Sequence, residues 1–349
     1  MVNGAAHPTG RPPGWADLAV VGASAGGVGV LQQLMSRLPE DIGMAVLVVL
    51  HVPASGISVL GDILARCASM RIERAEDGMA MRRGVAVVAP TDHHLLVDGA
   101  RLRLSRGPLV NGHRPAIDPA METAVRSFGP ATVGVLLSGT LDDGVAGLGA
   151  IRAGGGMTAV QDPDEAEYPG MPQAAIDAGV ADHMLGVAPL AGLLAEAGGQ
   201  GRAPLVPGDV EQLIIDEDSG PGVVSAFTCP NCGGALWERS HNGVVTFACR
   251  VGHRYSPASL FEKQGDALDD ALWAAHRALL ERADLARRMG RRLRRSGLDL
   301  TAVKYDRTAD DAERRATIVH DALMMSRTQA PSGHADVRDQ IDEPDGARR

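Results

Sequence analysis

Apolar and polar positions come in regular blocks along the first 196 residues. Continuous apolar runs, typical of strands buried on both faces, occur at 17–22, 44–50, 85–89, 131–137 and 157–161. Stretches with a helical period lie between or after these runs, near 27–37, 56–67, 118–128, 144–153, 173–178 and 188–196. This order predicts an α/β fold for residues 17–196, with a three-layer, doubly wound, mainly parallel sheet. The stretch 92–106 indicates a short hairpin that turns at Asp98-Gly99.

The pattern changes in the second half of the chain. Residues 198–226 are rich in glycine, proline and acidic residues and lack a period, which predicts a linker. A cysteine-bearing module follows at 227–256, where apolar runs on both sides of Asn242-Gly243 predict a second hairpin. Residues 257–327 have a helical pattern, and the polar tail 329–349 is predicted to be disordered.

Composition narrows the functional class. The chain has 349 residues, of which 45% are apolar and 3% aromatic, so its core would consist mainly of Ala, Val and Leu. The formal net charge of -9 argues against general nucleic-acid binding, which requires a basic face. The N-terminus has no apolar run of the length of a signal peptide core, and no later stretch reaches the roughly 18–20 apolar residues of a transmembrane helix. We therefore expect a cytoplasmic protein without a transmembrane segment.

Polar residues follow three of the predicted strands at their carboxyl ends. Ser24 lies in the turn GASAGG, His51 follows the second strand, and Asp143 comes shortly after the strand at 131–137. Because the carboxyl ends of parallel strands share one edge of the sheet, these three side chains can converge as a Ser-His-Asp triad. The amides of the helix start at Ala25, Gly26 and Gly27 would then stabilise an oxyanion.

Other interpretations of GASAGG stay open on the residues alone. It is compatible with a phosphate-binding turn or a merely tight one. The nucleophile elbow of α/β-hydrolases is disfavoured, since there several strands precede the serine and the histidine comes last, where this chain offers only His183. A dinucleotide site is disfavoured by the glycine spacing, and because His51 instead of an acidic residue ends the second strand.

A family resemblance covers about residues 17–196. The blocks VVGASAGGVGVLQQLMSRLP, HVP, GHRPAID, LSGTLDDGVAGL and YPGMPQAAI resemble, in unbroken order, those of the CheB-type catalytic domain of bacterial chemotaxis receptor methylesterases. The resemblance implies a serine hydrolase that demethylates glutamate methyl esters on chemoreceptor helices and, in some members, also deamidates glutamine. It implies Ser24 as nucleophile, His51 as base and Asp143 as orienting acid. These residues favour an enzyme over a non-catalytic signalling scaffold that keeps the fold.

The same resemblance suggests substrate contacts and also shows departures. Arg114, Met171 and Thr140 are the suggested substrate contacts, with an exposed loop arginine and a packing methionine as the alternatives for Arg114 and Met171. Asp118, followed by a proline, is expected to be a helix N-cap. The family usually has threonine where this chain has Ala25, and Met-Gly-Asn where it has Thr140, Leu141 and Asp142. Regulated members carry an N-terminal receiver domain, which we do not expect here because only about 16 residues precede the first strand.

Three of the four cysteines predict a metal site. The ligands would be Cys229, Cys232, Cys249 and His253, in the spacing C-x2-C-x16-C-x3-H, which suits a closed, tetrahedral, structural zinc site. His241 is an alternative fourth ligand, and free thiols are the alternative to a metal. A module of this size would fold with its metal. Because a linker precedes it, we expect it to be independent of the esterase domain.

The helical region has apolar residues at a helical period in two stretches, near 257–296 and 301–327, broken around Gly297. One interpretation is a hairpin that packs on itself or on the zinc module. The alternative is a docking element for a partner or for self-association with a second copy. Residues 281–295 carry seven arginines against two acids, which suits an acidic helix, anionic lipid or simply a solvated face.

Overall fold

The computed structural model describes residues 16–53, 59–198, 222–241 and 244–329. The predicted disordered tail, most of the predicted linker and the Asn242-Gly243 turn lie outside these residues. The chain forms two compact units, of which the first extends to Leu260 and the second begins at Phe261. None of the helices within the described ranges is long and apolar enough to cross a membrane.

The centre of the first unit is a parallel sheet of seven strands in the order β3-β4-β2-β1-β7-β8-β9. Its strands are β1 (Leu18–Ala23), β2 (Ala45–Leu50), β3 (Arg71–Arg74), β4 (Val85–Val88), β7 (Thr132–Leu136), β8 (Met157–Gln161) and β9 (His183–Leu185). The four central strands β4, β2, β1 and β7 are buried throughout, which is why they are continuous apolar runs in the sequence. The short edge strand β3 was not predicted, because half-exposed residues interrupt its apolar pattern.

Helices cover both faces of this sheet. They are α1 (Gly27–Met35), α2 (Leu60–Ala65), α3 (Ile117–Phe128), α4 (Val145–Ala153), α5 (Gly170–Asp177) and α6 (Val187–Gly198). One buried cluster joins the sheet to α3, α4 and α5, and a second joins its other face to α1, α2 and α6. The predicted three-layer α/β fold is therefore confirmed.

The strand order places three loops side by side. Strands β2, β1 and β7 are neighbours, and Gly22 of β1 is in register with Val49 of β2 and Leu136 of β7. The chain adds strands in one direction from β1 to β2 and in the other from β1 to β7, so the loops that follow diverge and leave a crevice at this edge.

The region 92–106 forms the predicted hairpin, with β5 (His94–Asp98) and β6 (Arg101–Ser105). Asp98 pairs with Arg101, so the turn lies at Gly99-Ala100, one residue later than predicted. The N-cap of α3 is Ala116. The prediction that Asp118 caps this helix is therefore wrong, and the buried Asp118 lies within its first turn.

The cysteine-bearing module belongs to the first unit. It is an antiparallel sheet of β10 (Val223–Thr228), β11 (Ala235–His241), β12 (Val244–Cys249) and β13 (Arg254–Tyr255). Strand β10 begins within the predicted linker, whose last residues are thus part of the module. Arg254 forms a bridge with Val110 and an ion pair of 2.9 Å with Glu122 on α3. The module consequently packs against the fold built on the parallel sheet, contrary to the expectation that it is independent.

Two long helices follow, α7 (Pro257–Arg295) and α8 (Asp299–Gln329), and Gly297 between them has a left-handed φ of 75°. Within the second unit they pack through small side chains, with Ala283 and Ala286 against Ala309 and Ala312. Arg287 of the arginine-rich stretch bonds to Glu313 at 2.6 Å. This arginine is therefore paired with acidic side chains of α8, Glu313 and Asp310, in the same chain.

Candidate active site

The structure brings Ser24, His51 and Asp143 together at the edge formed by β2, β1 and β7. The ring atom Nδ1 of His51 lies 3.0 Å from Oγ of Ser24, and Nε2 lies 2.7 Å from Oδ2 of Asp143. A carboxylate accepts only, so we place the ring proton on Nε2, which leaves Nδ1 to accept the hydrogen of the Ser24 hydroxyl. His51 is 6% exposed and Asp143 2%, whereas Ser24 is partly exposed. The serine is thus accessible at the end of a buried relay.

Local structure explains how Ser24 is presented. Its amide donates to the carbonyl of Ser138 at 2.9 Å, and the hydroxyl of Ser138 donates to the carbonyl of Ala25 at 2.8 Å. These bonds join the loop after β1 to the loop after β7. The N-cap of α1 is Gly26, with a left-handed φ of 70°, which a residue with a Cβ would adopt only with strain.

The buried carboxylate of Asp143 accepts further hydrogen bonds. Its Oδ2 accepts from the amide of Ile117 at 2.7 Å, and its Oδ1 accepts from Nδ2 of Asn111 at 2.7 Å. Burial alone would raise the pKa of Asp143, but the hydrogen bond and charge of His51, the charge of His113 and the Ile117 amide lower it well below its usual range. Asp143 is therefore ionised and fixed in orientation, which suits an acid that holds an imidazole.

Two residues outside the predicted set complete this arrangement. Nδ2 of Asn111 also donates to Oδ2 of Asp118 at 2.9 Å, and burial together with the charge of Asp143 raises the pKa of Asp118 well above its usual value. The ring of His113 stacks on that of His51, with centroids 3.8 Å apart and planes 8° from parallel. His113 lies in the GHRPAID block of the family resemblance, whereas no local feature of the sequence marks Asn111.

The predicted oxyanion donors differ in availability. The amide of Gly27 donates to the carbonyl of Ser24 at 2.9 Å, so it is occupied within the turn, and its assignment as a donor to substrate is wrong. No acceptor is found for the amides of Ala25 and Gly26 within the described part of the chain. These two amides stay candidates for an oxyanion hole.

The three suggested substrate contacts also differ. Met171 is fully buried in the core below the site, and a Cβ on Gly139 would collide with its sulfur on one side and approach Cβ of Ser24 to 2.9 Å on the other. Met171 therefore packs against Gly139 beneath the nucleophile, which agrees with its interpretation as a packing residue and not with that as a substrate contact. Thr140 is partly exposed on the loop after β7 and stays a candidate.

The guanidinium of Arg114 is hydrogen-bonded to residues of the neighbouring hairpin region. Its Nε donates to Asp92 at 2.9 Å and its Nη1 to the carbonyl of Gly107 at 2.7 Å. The hydrogen bond from Arg114 lowers the pKa of Asp92. The structure therefore gives Arg114 a role in holding its loop to Asp92 and Gly107, and does not join it to the Ser24 relay.

The Cys/His module holds the predicted ligand set together. The ligand atoms of Cys229, Cys232, Cys249 and His253 all lie within 4.8 Å of one another. Sγ of Cys232 and Cys249 are 3.6 Å apart, and Nδ1 of His253 lies 3.6 Å and 3.5 Å from Sγ of Cys229 and Cys249. A tetrahedral zinc ion would separate two sulfur ligands by about 3.8 Å and sulfur from nitrogen by about 3.5 Å. The residues fit such an ion with four protein ligands and no open position. The side chain of the alternative ligand His241 lies outside the described ones.

The loop before Asp143 contacts the module directly. Oδ1 of Asp142 accepts from the hydroxyls of Ser256 and Ser259, at 2.5 Å and 3.2 Å. Ser256 precedes α7, and its hydroxyl accepts the amide of Ser259 at 3.0 Å, so it is the N-cap of that helix. Leu141 has a left-handed φ of 62°. The departure from the family pattern at Asp142 thus lies where the module contacts the loop before Asp143.

Comparisons with known proteins agree with this geometry. The CheB methylesterase family matches residues 19–194. A relative from Symbiobacterium thermophilum, named protein-glutamate methylesterase/protein-glutamine glutaminase, is 36% identical over 185 residues, which are 53% of this chain and 51% of that protein. One from Anaeromyxobacter dehalogenans, named protein-glutamate methylesterase/protein-glutamine glutaminase 6, is 38% identical over 54% of this chain and 56% of that protein. The chain thus spans about half the length of these two curated relatives.

Shorter proteins are matched almost completely. A relative from Leptospira interrogans is 35% identical over 175 residues, which are 50% of this chain and 91% of that protein. The crystal structure of the CheB methylesterase catalytic domain from Thermotoga maritima has a TM-score of 0.50 and 28% identity, over 52% of this chain and 98% of that one. The matched part of this chain is therefore a whole catalytic domain of that type.

Proposed function

Because this chain belongs to the CheB methylesterase family, we propose that it is a serine hydrolase that removes methyl groups from glutamate methyl esters of chemoreceptor-like signalling proteins. The single observation that carries the proposal is the relay from Ser24 through His51 to Asp143, with bonds of 3.0 Å and 2.7 Å. A non-catalytic scaffold would have no need of an accessible serine bonded to a buried, oriented imidazole.

The geometry supports a stepwise acyl transfer. His51 takes the hydroxyl proton of Ser24 at Nδ1 while the serine oxygen bonds to the ester carbon. Asp143 accepts from Nε2 and stabilises the imidazolium that forms. The proton on Nδ1 then passes to the departing methoxide, which leaves as methanol. Water repeats the cycle on the acyl-serine and releases glutamate.

The oxyanion of each tetrahedral intermediate needs donors beside Ser24. The amides of Ala25 and Gly26 are proposed for this role, and each donor of this kind contributes roughly 3–4 kcal/mol to the transition state. Relatives carry glutaminase in their names. We propose that this chain deamidates glutamine more slowly than it demethylates, because ammonia is a poorer leaving group than methanol and demands full protonation.

The module is proposed to hold one structural zinc ion through Cys229, Cys232, Cys249 and His253. Zinc takes no part in the chemistry of Ser24. The proposed partner is a methylated helix of a chemoreceptor-like protein, which places the reaction in the cytoplasm. Apolar side chains on α7 and α8, such as Leu285 and Ile318, are exposed. They support the prediction that these helices associate with a partner or with a second copy.

The test is methanol release from a methyl-labelled receptor by the purified full-length chain. Ser24→Ala should lower turnover by several orders of magnitude, since the members of a triad act as a unit. The matched control is Ser36→Ala, whose hydroxyl caps the end of α1 without contact to the site. Turnover of Ser24→Ala within tenfold of the wild type would remove Ser24 from the mechanism. No hydrolysis by the wild type would overturn the proposal.

A further inference from the structure

The loop that carries Asn111 is joined to the Cys/His module by main-chain bonds. The amide of Asn111 donates to the carbonyl of Arg254 at 2.7 Å, and the amide of Arg254 donates to the carbonyl of Leu109 at 3.3 Å. The side chain of Arg254 pairs with Glu122 on α3 at 2.9 Å. A strand end of the module is thus added to the loop from which Asn111 reaches the triad.

The side-chain amide of Asn111 is used completely and lies 2% exposed. Its Nδ2 donates one hydrogen to Asp143 at 2.7 Å and the other to Asp118 at 2.9 Å. Its Oδ1 accepts from the amide of Ser256 at 2.8 Å. Both N–H donors of this amide therefore face carboxylate acceptors, and its oxygen faces a main-chain N–H donor.

Only one orientation of this amide is compatible with its surroundings. If the amide of Asn111 turned over, its oxygen would face two carboxyl groups and its NH2 would face the amide of Ser256. A buried donor or acceptor left without a partner costs about 1–3 kcal/mol. The Ser256 amide is the group from the module that selects the orientation in which Asn111 donates to Asp143.

We propose that Asn111 is a positioning residue for Asp143, and that the Cys/His module sets its orientation through the Ser256 amide, so that metal loading of the module controls esterase turnover. This inference rests on the proposed function. Asn111 touches neither substrate nor the reacting atoms. It acts through the carboxylate that holds His51.

The link from the metal ligands to Ser256 is short. Ser256 follows the ligand His253 by three residues, and the amide of Cys249 donates to the carbonyl of His253 at 3.0 Å. Between them Tyr255 is fully buried, with its hydroxyl 3.6 Å from Sγ of Cys229. A metal that joins these ligands would hold the turn that presents Ser256, since a module this small has little core of its own.

The Asp142 loop supports the same coupling from the other side. Its contacts with Ser256 and Ser259 join the residue next to Asp143 to the N-terminus of α7. The module therefore reaches Asp143 by two routes, one through Asn111 and one through the neighbouring main chain. Loss of the module contact should loosen both and leave the core of the sheet intact.

The first experiment replaces Asn111 in the full-length chain. Asn111→Ala should lower kcat by about 10–100-fold and change KM less than twofold, because outer-shell partners that orient a reactive group have effects of this size. The control is Thr123→Ala, which removes a partly buried hydroxyl bonded to Pro119 on α3 but does not contact the triad. Thr123→Ala tests whether an ordinary loss of stability slows turnover.

The second experiment separates the amide of Ser256 from its hydroxyl. Ser256→Pro removes both, whereas Ser256→Ala keeps the amide, so the proline variant should lose at least tenfold more in kcat. Ser225→Ala, which removes a hydroxyl bonded to Leu236 within the module, should stay at the wild-type rate. This pair keeps the inference testable if Asn111→Ala does not fold.

The third experiment removes the metal from the wild type with a chelator and restores it with Zn²⁺ alone. The kcat should fall about 10–100-fold and recover, and amide exchange at Ile117, which donates to Asp143, should accelerate in the apo protein. In Asn111→Ala the chelator should lower kcat less than it does in the wild type, because only the route through Asp142 is left for metal removal to loosen.

The outcomes separate this inference from the proposed function. If Ser24→Ala abolishes hydrolysis while Asn111→Ala, Ser256→Pro and the apo protein keep the wild-type kcat, the inference is wrong and the function stands. If the wild type hydrolyses no ester, the proposed function fails, and exchange at Ile117 still reports the coupling. Unchanged exchange on metal removal would overturn the coupling in either case.

Discussion

Replacement of Asp143 by asparagine is the sharpest test of the relay, since it changes one atom at the end of a fully bonded carboxylate. Oδ1 accepts from Asn111, and Oδ2 accepts from both His51 and Ile117. If the asparagine NH2 takes the place of Oδ1, it faces the NH2 of Asn111, so that two donors oppose each other. If it takes the place of Oδ2, it faces the amide of Ile117, and Nε2 of His51 must accept a hydrogen bond from it. The ring proton of His51 then moves to Nδ1, which faces Ser24.

Both orientations predict a loss of activity, because each removes the negative charge that stabilises the imidazolium, and the second also gives the wrong tautomer of His51. Each unsatisfied buried donor costs about 1–3 kcal/mol of stability. In a serine protease triad the corresponding change lowers kcat about 10⁴-fold because it yields the wrong tautomer. We expect a loss of similar order in methanol release at saturating substrate, with the fold retained by circular dichroism. The control is Asp162→Asn, which changes a carboxylate that bonds the amide of Asp164 without contact to the triad. A kcat for Asp143→Asn within tenfold of the wild type would refute the relay.

The same variant gives a stability prediction with a defined sign. The folded pKa of Asp143 lies below that of an unfolded aspartate, about 3.9. Its contribution is therefore present above about pH 4 and lost as the pH falls through the folded pKa. Urea unfolding should show the wild type most stable relative to Asp143→Asn near pH 6, with a difference that shrinks towards pH 3. A constant difference over this range would contradict the assigned ionisation.

Three further predictions concern neighbouring groups. Burial raises the pKa of Asp142, so its contribution to stability is lost as the pH rises through the folded value, and Asp142→Asn should gain stability over the wild type from pH 4 to pH 7 in urea unfolding. Metal analysis in reducing buffer should find one zinc per chain, and Cys229→Ser combined with Cys249→Ser should release it, whereas a metal-free wild type would disprove the site. Gly139→Ala should lower kcat at least tenfold, since the added Cβ would lie 2.9 Å from the Cβ of Ser24 and displace the nucleophile. A wild-type rate would contradict this and show that the loop after β7 can move away from Ser24.

The sequence predicted best what depends on period and on strand ends. Continuous apolar runs identify buried parallel strands, and a parallel sheet brings their carboxyl ends to one edge, so Ser24, His51 and Asp143 could be named as a set before their distances were known. The fold prediction is confirmed for the same reason. Positions where a side chain has two possible directions were less predictable. Met171 near a helix start could face the crevice or the core, and the structure places it in the core.

Contacts between remote segments left no local signal. Asn111 stands in a loop between a hairpin and a helix, and its partners lie 7, 32 and 145 residues away along the chain. The glycine-rich, acidic composition of residues 198–226 predicts a linker, and a linker implies that the module is independent of the catalytic domain. What composition cannot show is the backbone pairing of Arg254 with Leu109 and Asn111, since hydrogen bonds between main chains are indifferent to side-chain type.

The departures from the family pattern are informative when seen beside the module. A chain with a different residue at position 142 would lack the carboxylate that accepts from Ser256 and Ser259 at the start of α7. Burial of that carboxylate raises its pKa and therefore costs stability at neutral pH, so its presence is not explained by the stability of the domain alone. The contacts with Ser256 and Ser259 give this carboxylate a different role. Asp142 directly precedes Asp143, so a displacement of the N-terminus of α7 would also displace the acid that orients His51. Of the departures at 140–142, the one at Asp142 is thus joined directly to the module through Ser256 and Ser259.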